Sequence, residues 1–233
     1  MLTKETIQQI EEASLSEGIA IVASHYPGEV AFSSSLGQED QVITDAIFKN
    51  NIPVKVFTID TGRLFNETYE LLDKTTARYK KIIQVYFPGA GDVEAFVAAK
   101  GINSFYESVD SRKECCHIRK VKPLNRALTG AKVWITGLRS EQSVNRKEMP
   151  MIEWDDSRQL YKFNPVINWA YDDVLDYLKK FNIPYNSLHD KGFVSIGCAP
   201  CTRAIEPGED ARAGRWWWEQ SQKECGLHQT VLK

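Results

Sequence analysis

The sequence has no apolar run approaching the roughly twenty residues needed to cross a bilayer. Its opening stretch, MLTKETIQQIEEASL, lacks the basic start and apolar segment of a secretory signal. We therefore expect a cytoplasmic protein with no membrane partner. A surplus of positive charge is also missing: 29 Lys and Arg face 31 Asp and Glu, for a net charge of −2. This argues against general attraction to nucleic acid, so any anion site must be built locally. There is no Walker loop and no G-x-G-x-x-G fingerprint, which weakens readings as a P-loop kinase or a Rossmann dehydrogenase. No long-period repeat or low-complexity segment occurs. Cysteine is sparse and odd in number, five in 233 residues. In a reducing cytoplasm these thiols do not form a disulfide framework, so they need a metal or catalytic explanation.

What is present is ordinary globular composition, 42% hydrophobic and 26% charged. Residues 4–24 predict one or two amphipathic helices. Short apolar runs at 29–34, 54–59, 82–87 and 132–138 predict strands. Helical spacing covers 38–48, 64–80, 92–100 and 170–181. Strands alternating with helices predict an α/β fold with a mostly parallel sheet flanked by helices. From about residue 185, Gly, Pro, Cys and Arg become frequent and apolar periodicity fades. We expect a nucleotide-binding α/β domain over 1–184. Residues 185–233 would form a C-terminal catalytic arm, functionally part of the same domain.

Three strand ends carry small and polar residues. Ser33-Ser34-Ser35-Leu-Gly37-Gln-Glu-Asp40 joins the first strand to its helix, where backbone amides and the helix N-terminus suit an anion. An ordinary helix cap would read the same way. The second strand ends in Asp60-Thr-Gly62-Arg63. The third such turn is Thr136-Gly-Leu-Arg139, with Arg146 downstream, and supplies fixed cations for phosphate or sulfate oxygens. Together the three turns favour an anionic nucleotide.

Cys115-Cys116 and Cys198-Ala-Pro-Cys201 are the sharpest features. The C-x-x-C pair is a thiolate clip. Adjacent thiolates hardly chelate one tetrahedral zinc without strain, but they can reach different irons of a cube. Four thiolates point to iron–sulfur or zinc rather than to buried free cysteines. Arg119, Lys120 and Lys122 follow the tandem pair as cations near a net-negative site. In the tail, Arg212 and Arg215 lie three apart and could clamp a phosphosulfate. Cys225 is the spare fifth thiol, with Lys223 and His228 nearby to favour its thiolate, and is a candidate nucleophile.

Taken together, the Ser33–Asp40 loop, Cys-Cys with Arg119-Lys120, Thr136-Gly-Leu-Arg, C-x-x-C, Arg-Ala-Gly-Arg-Trp and Glu-Cys225-Gly-Leu-His228 resemble the assimilatory adenylyl-sulfate and phosphoadenylyl-sulfate reductase family. The match runs from about residue 25 to the C-terminus. The resemblance implies an adenine nucleotide α-hydrolase-like fold and a 4Fe–4S cluster on Cys115, Cys116, Cys198 and Cys201. It implies that Cys225 attacks the substrate sulfur, AMP leaves, and thioredoxin or glutaredoxin releases sulfite from the S-sulfonate. Lys120 would lie between cluster and substrate, and Arg146 or Arg139, Arg212, Arg215 and His228 would contact the phosphosulfate. The 3′-phosphorylated nucleotide is usually the substrate of members lacking the four cysteines, so adenylyl sulfate is expected here. Some cluster-bearing members accept both. A homo-oligomer is compatible with the sequence.

Two other classes compete. A tRNA-thiolating ATP pyrophosphatase would carry a Ser-Gly-Gly-x-Asp-Ser loop, which is replaced here by Ser35-Leu-Gly-Gln-Glu-Asp. A metal-binding interaction module would explain the paired cysteines but leave Cys225 and the tail arginines idle.

Overall fold

Short apolar runs bounded by Gly, Pro, Asn and Ser fold into strands because their branched and aromatic side chains pack on a pleated surface. The computed structural model describes residues 1–143 and 146–219. The strands are β1 (Val30–Ser33), β2 (Lys55–Ile59), β3 (Gln84–Tyr86), β4 (Val133–Ile135), β5 (Ile152–Asp155) and β6 (Leu160–Phe163). They form one sheet in the order β3-β2-β1-β4-β6-β5. β1 runs parallel to β2 and β4, β4 runs parallel to β6, and β5 is antiparallel to β6. The helices are α1 (Lys4–Glu12), α2 (Leu15–His25), α3 (Gln38–Lys49), α4 (Asn66–Tyr79), α5 (Ala90–Lys100), α6 (Val109–Cys116), α7 (Lys122–Ala127) and α8 (Tyr171–Lys180). The α/β expectation with a mostly parallel sheet holds. The hairpin β5–β6 and the helical run 109–127 were not expected.

By packing, the chain divides into two units. The first comprises Met1–Thr58, Glu67–Gln84 and Gly130–Asn186. Its core joins Ile19, Val22, Phe32, Ile43, Ile47, Val133, Ile135 and Phe163. The N-terminal pattern splits into two helices because Ser14 and Glu17 form a capping box that starts α2 afresh. Helix α3 is buried nearly all round, so its polar residues must find partners inside. Gln41 donates to Thr75 Oγ1 at 2.9 Å and to the Pro184 carbonyl at 2.8 Å. Asp45 accepts from the Tyr79 and Tyr177 hydroxyls at 2.7 and 3.0 Å.

The second unit takes Ile59–Asn66, Val85–Thr129 and the chain from Ser187 on. The expected division near residue 185 is thus one of several points where the chain passes between units. This unit's buried cluster is Phe96, Phe105, Cys115, Ile118, Cys198, Cys201 and Trp216, so three thiols stand inside its core. Among the described residues, no helix is long and apolar enough to cross a membrane.

Candidate functional site

In the first unit, the turn after β1 is built by its own side chains. Ser34 Oγ accepts from the Leu36 amide at 3.1 Å, and Leu36 sits at φ 61, a left-handed conformation rare for a branched residue. Ser33 Oγ accepts from Trp134 Nε1 at 2.7 Å. Ser35 donates its amide and hydroxyl to Asp40 Oδ2 at 2.5 and 2.6 Å. Gly37 is the N-cap of α3. Asp40 also presses on Gly137, where an added Cβ would fall far inside contact with Oδ1. The glycine of Thr136-Gly-Leu-Arg is therefore required by close approach, not by backbone twist.

Burial pushes the Asp40 carboxyl up to about 6 from 3.8, against the hydrogen bonds from Ser35. A raised acid binds its proton more tightly when folded. Its stabilising contribution is present below about pH 4 and is lost as pH rises through about 6. Asp40→Asn should remove this dependence. Relative to the parent chain, the variant should gain up to about 3 kcal/mol between pH 4 and 7 in urea unfolding. Parallel stability curves would refute the assignment.

The cations of this unit are engaged as well. Arg139 Nε donates to Glu39 at 2.8 Å and its Nη1 to Glu141 at 2.8 Å, while the guanidinium lies over the Tyr171 ring. Arg146 Nη1 donates to Gln142 Oε1 at 2.5 Å, and Gln142 donates to Glu39 at 3.0 Å. Arg139 and Arg146 are thus joined through Glu39 and Gln142.

In the second unit, α6 starts at Ser108, whose hydroxyl accepts from the Ser111 amide at 3.0 Å. The helix continues through a π-helical stretch, His117–Val121, into α7. Adjacent residues on an α-helix diverge by about 100°, yet Cys115 and Cys116 line one pocket with Cys198 and Cys201. They stand at the junction where the helix widens, a frequent device at functional sites. The C-x-x-C segment closes as a short 3₁₀ turn, with the Cys201 amide donating to the Cys198 carbonyl at 2.9 Å. It is fastened by the Ala199 amide to the Arg63 carbonyl (2.8 Å) and by the Tyr106 hydroxyl to the Pro200 carbonyl (2.7 Å).

Arg63, Arg112, Arg119 and Lys120 complete the pocket's polar lining. Arg119 Nη1 donates to the Thr61 carbonyl at 2.7 Å, in the turn where Gly62 takes φ 72 and Asp60 accepts the Gly62 amide at 2.7 Å. The Thr61 hydroxyl lies 3.2 Å from Cys198 Sγ. Arg215 stacks over Trp216 at 4.8 Å and presses on Gly197, which has no room for a side chain. Burial pushes the Cys201 thiol up to about 12; Cys198 adds to the rise and Lys120 and Arg215 oppose it. Burial likewise raises Cys115, with Arg119 opposing.

These residues fit a thiolate-ligated cluster. Arg119 and Arg215 are each 7% exposed, and their Nε atoms, like Trp216 Nε1, have no hydrogen-bond partner. Buried donors and cations beside high-pKa thiols leave the pocket short of negative charge and of acceptors. Thiolates bound to metal and bridging sulfide would supply both. Among the described residues, no three of His, Cys, Asp and Glu form a group able to hold a metal ion.

The structure therefore gathers Cys115, Cys116, Cys198, Cys201 and Lys120 at one pocket, and Arg63, Arg112 and Arg119 join them there. Arg112, missed in the sequence, could have been found from its spacing three residues before Cys115 on a helix. Arg212 is half-buried in the turn before Arg215, its amide donating to Asp210 at 2.8 Å. Cys225 and His228 lie outside the described residues.

An open, mostly parallel sheet with a Ser-rich strand–helix turn in one unit, and a four-thiol pocket ringed by cations in the other, define the class as α/β. Comparison narrows the class. The model of the phosphoadenosine phosphosulfate reductase domain matches residues 29–204, and the chain belongs to this family. Adenosine 5′-phosphosulfate reductase of Burkholderia cepacia is 51% identical over 205 residues, covering 88% of this chain and 82% of that one. The protein of the same name from Rhizobium meliloti is 50% identical over 94% of this chain and 83% of its own. The crystal structure of phosphoadenylyl-sulfate reductase from Candida auris, a phosphate complex, is similar with a TM-score of 0.71. It is 31% identical, covering 88% of this chain and 98% of that one. FMN adenylyltransferase of Candida glabrata, at 16% identity and a TM-score of 0.55 over 99% of this chain and 80% of that one, shares the fold alone.

Proposed function

We propose that this chain reduces adenylyl sulfate to sulfite and AMP in sulfate assimilation, with Cys225 as nucleophile. The observation that carries the reading is the convergence of four buried thiols and their surrounding cations on one pocket. Relatives about half identical are named for adenosine 5′-phosphosulfate, which supports the unphosphorylated nucleotide over its 3′-phosphorylated form.

The Cys225 thiolate attacks the sulfate sulfur. A sulfur–sulfur bond forms, the sulfur–oxygen bond to the phosphate breaks, and AMP departs as an anion. A dithiol reductant of the thioredoxin or glutaredoxin class then attacks Cys225 Sγ and expels sulfite. The resulting mixed disulfide is resolved by the reductant's second thiol, which restores the Cys225 thiol. Two electrons pass from the dithiol to sulfur.

Cys115, Cys116, Cys198 and Cys201 would hold a 4Fe–4S cluster, which when bound orders the site and helps polarise the sulfate without carrying the electrons. Lys120 offsets charge between thiolates and sulfonate oxygens. Arg212, Arg215 and His228 are assigned to the phosphosulfate. Ser33, Ser34, Ser35, Gly37, Asp60 and Gly62 are assigned to the nucleotide. Arg146 is assigned to the phosphosulfate as well, with Arg139 as the competing residue.

The test offers each nucleotide with thioredoxin to anaerobically purified protein and measures sulfite. We expect kcat/KM to favour adenylyl sulfate by two orders of magnitude or more, about 3 kcal/mol of discrimination. Equal use of both nucleotides would make the enzyme a dual-specificity reductase. No sulfite from either would overturn the reading.

A further inference from the structure

Arg112, Arg119 and Arg215 are buried in the second unit beside its thiols. Arg112 and Arg119 line the thiol pocket. Arg112 and Arg215 both lie over the Trp216 indole, at 4.5 and 4.8 Å, and Trp216 packs in one cluster with Cys115, Cys198 and Cys201. Like charges gathered out of water repel unless something offsets them.

The offset is unequal. Arg112 Nε and Nη2 donate to Glu219 Oε1 and Oε2, both at 2.9 Å, in a two-point fork whose side chains are 2% and 3% exposed. Arg119 donates instead to the Thr61 carbonyl at 2.7 Å. Arg215 reaches neutral oxygens, Ser195 Oγ and the Ile196 carbonyl, both at 3.4 Å. Among the described residues, two buried guanidinium charges therefore stand by the thiols without a carboxylate partner, and the third is cancelled. A buried pair adds little net stability, because both charges lose their water. What Glu219 does change is the electrostatic potential at the thiols.

A thiolate-ligated cluster gains one negative charge on one-electron reduction, and its reduction potential follows the charge around it. A cation held in a buried pocket acts on it with little screening by water or salt. We propose that Glu219 sets the reduction potential of the cluster: by cancelling Arg112 it keeps the cluster oxidised, so that electrons move only in pairs between sulfurs. The proposal rests on the reading of Cys115, Cys116, Cys198 and Cys201 as 4Fe–4S ligands. Glu219 acts through Arg112 and not on the substrate.

The test uses the full, cluster-loaded chain with Glu219→Gln, with Arg112→Gln, and with both changes together. Iron and sulfide per chain are measured first. Each protein is then poised anaerobically at one fixed potential with a reduced viologen, from which one electron passes to the cluster. Electron paramagnetic resonance gives the ratio of reduced to oxidised cluster. Glu219→Gln leaves the Arg112 charge uncancelled and should raise this ratio about tenfold, which is 59 mV for a one-electron couple. Arg112→Gln leaves the Glu219 charge instead and should lower it. The double variant restores neutrality and should return to within about threefold of the parent.

A Glu219→Gln protein at the parent's ratio overturns the proposal, and so do single variants that shift in the same direction, since packing and not charge would then be the cause. Loss of iron in both Glu219→Gln and the double variant also overturns it, because the pair would then serve to retain the cluster. A parent chain without iron overturns the cluster reading itself, and the iron analysis separates that failure from the others.

Discussion

Cys225→Ser is expected to abolish sulfite release, by roughly 10⁴-fold or more, while the protein keeps its fold and its iron. A serine hydroxyl is almost wholly protonated at neutral pH, and its oxygen adduct would be a sulfate ester with no sulfur–sulfur bond for a dithiol to cleave. The substitution therefore removes both half-reactions. The four thiols of the pocket do not include Cys225, so visible absorption and iron content should match the parent. Anaerobic sulfite assay together with iron analysis checks both parts. Residual turnover above a few per cent would move the nucleophile elsewhere, and an iron-free variant would mean that Cys225 is a ligand.

Cys201→Ser should be equally severe for a different reason. Cys201 is buried in the core of its unit beside Cys115, Cys198, Phe105 and Trp216. Serine replaces a soft ligand with a hard one and puts a hydroxyl into an apolar cluster. We expect the chromophore to disappear, iron and sulfide to fall to background, sulfite formation to drop by about 10³-fold or more, and the thermal midpoint to fall. A brown, active Cys201→Ser protein would refute the assignment of Cys201 as a ligand. Zinc at one per chain in the parent would refute the cube itself.

Much of the fold could be read from the sequence because its parallel strands are short apolar runs with clear stops. Val30-Ala-Phe and Val133-Trp-Ile bury every residue, and β2 starts directly after Pro53-Val54. The hairpin Ile152–Phe163 escaped notice because Lys162 lies inside it. That lysine is 3% exposed, its ammonium depressed by burial and held by Glu153 across the strand pair at 3.3 Å. A charge in a strand reads as surface until its partner is known. The helical run 109–127 was hidden for a similar reason. Its inward positions include Arg112 and Arg119 along with the two cysteines, so no apolar 3.6-residue period appears.

The candidate site divides along the same line. Residue types that announce chemistry, the four cysteines and the cations beside them, were visible at once. Residues that work by placement were not. Thr61 matters through a hydroxyl 3.2 Å from Cys198, and Glu219 through a partner 107 residues away. The Ser33–Ser35 hydroxyls also shape the turn itself, accepting from Trp134 and the Leu36 amide and donating to Asp40 respectively, which no reading of the sequence shows.

The π-helical stretch His117–Val121 sets a rule of length as well as composition. Such a stretch holds one residue more than the α ladder needs, so it acts as a phase shifter between the helical turns on its two sides. Upstream lie Cys115 and Cys116; within it lie Arg119 and Lys120, which face the same thiols. Deleting a single residue here would return the helix to a regular winding and swing one group about 100° away from the other. Two cysteines and two cations, all still present in the chain, would no longer share a pocket. In this segment the spacing is itself a functional element, and an insertion or deletion would be as damaging as the loss of a ligand.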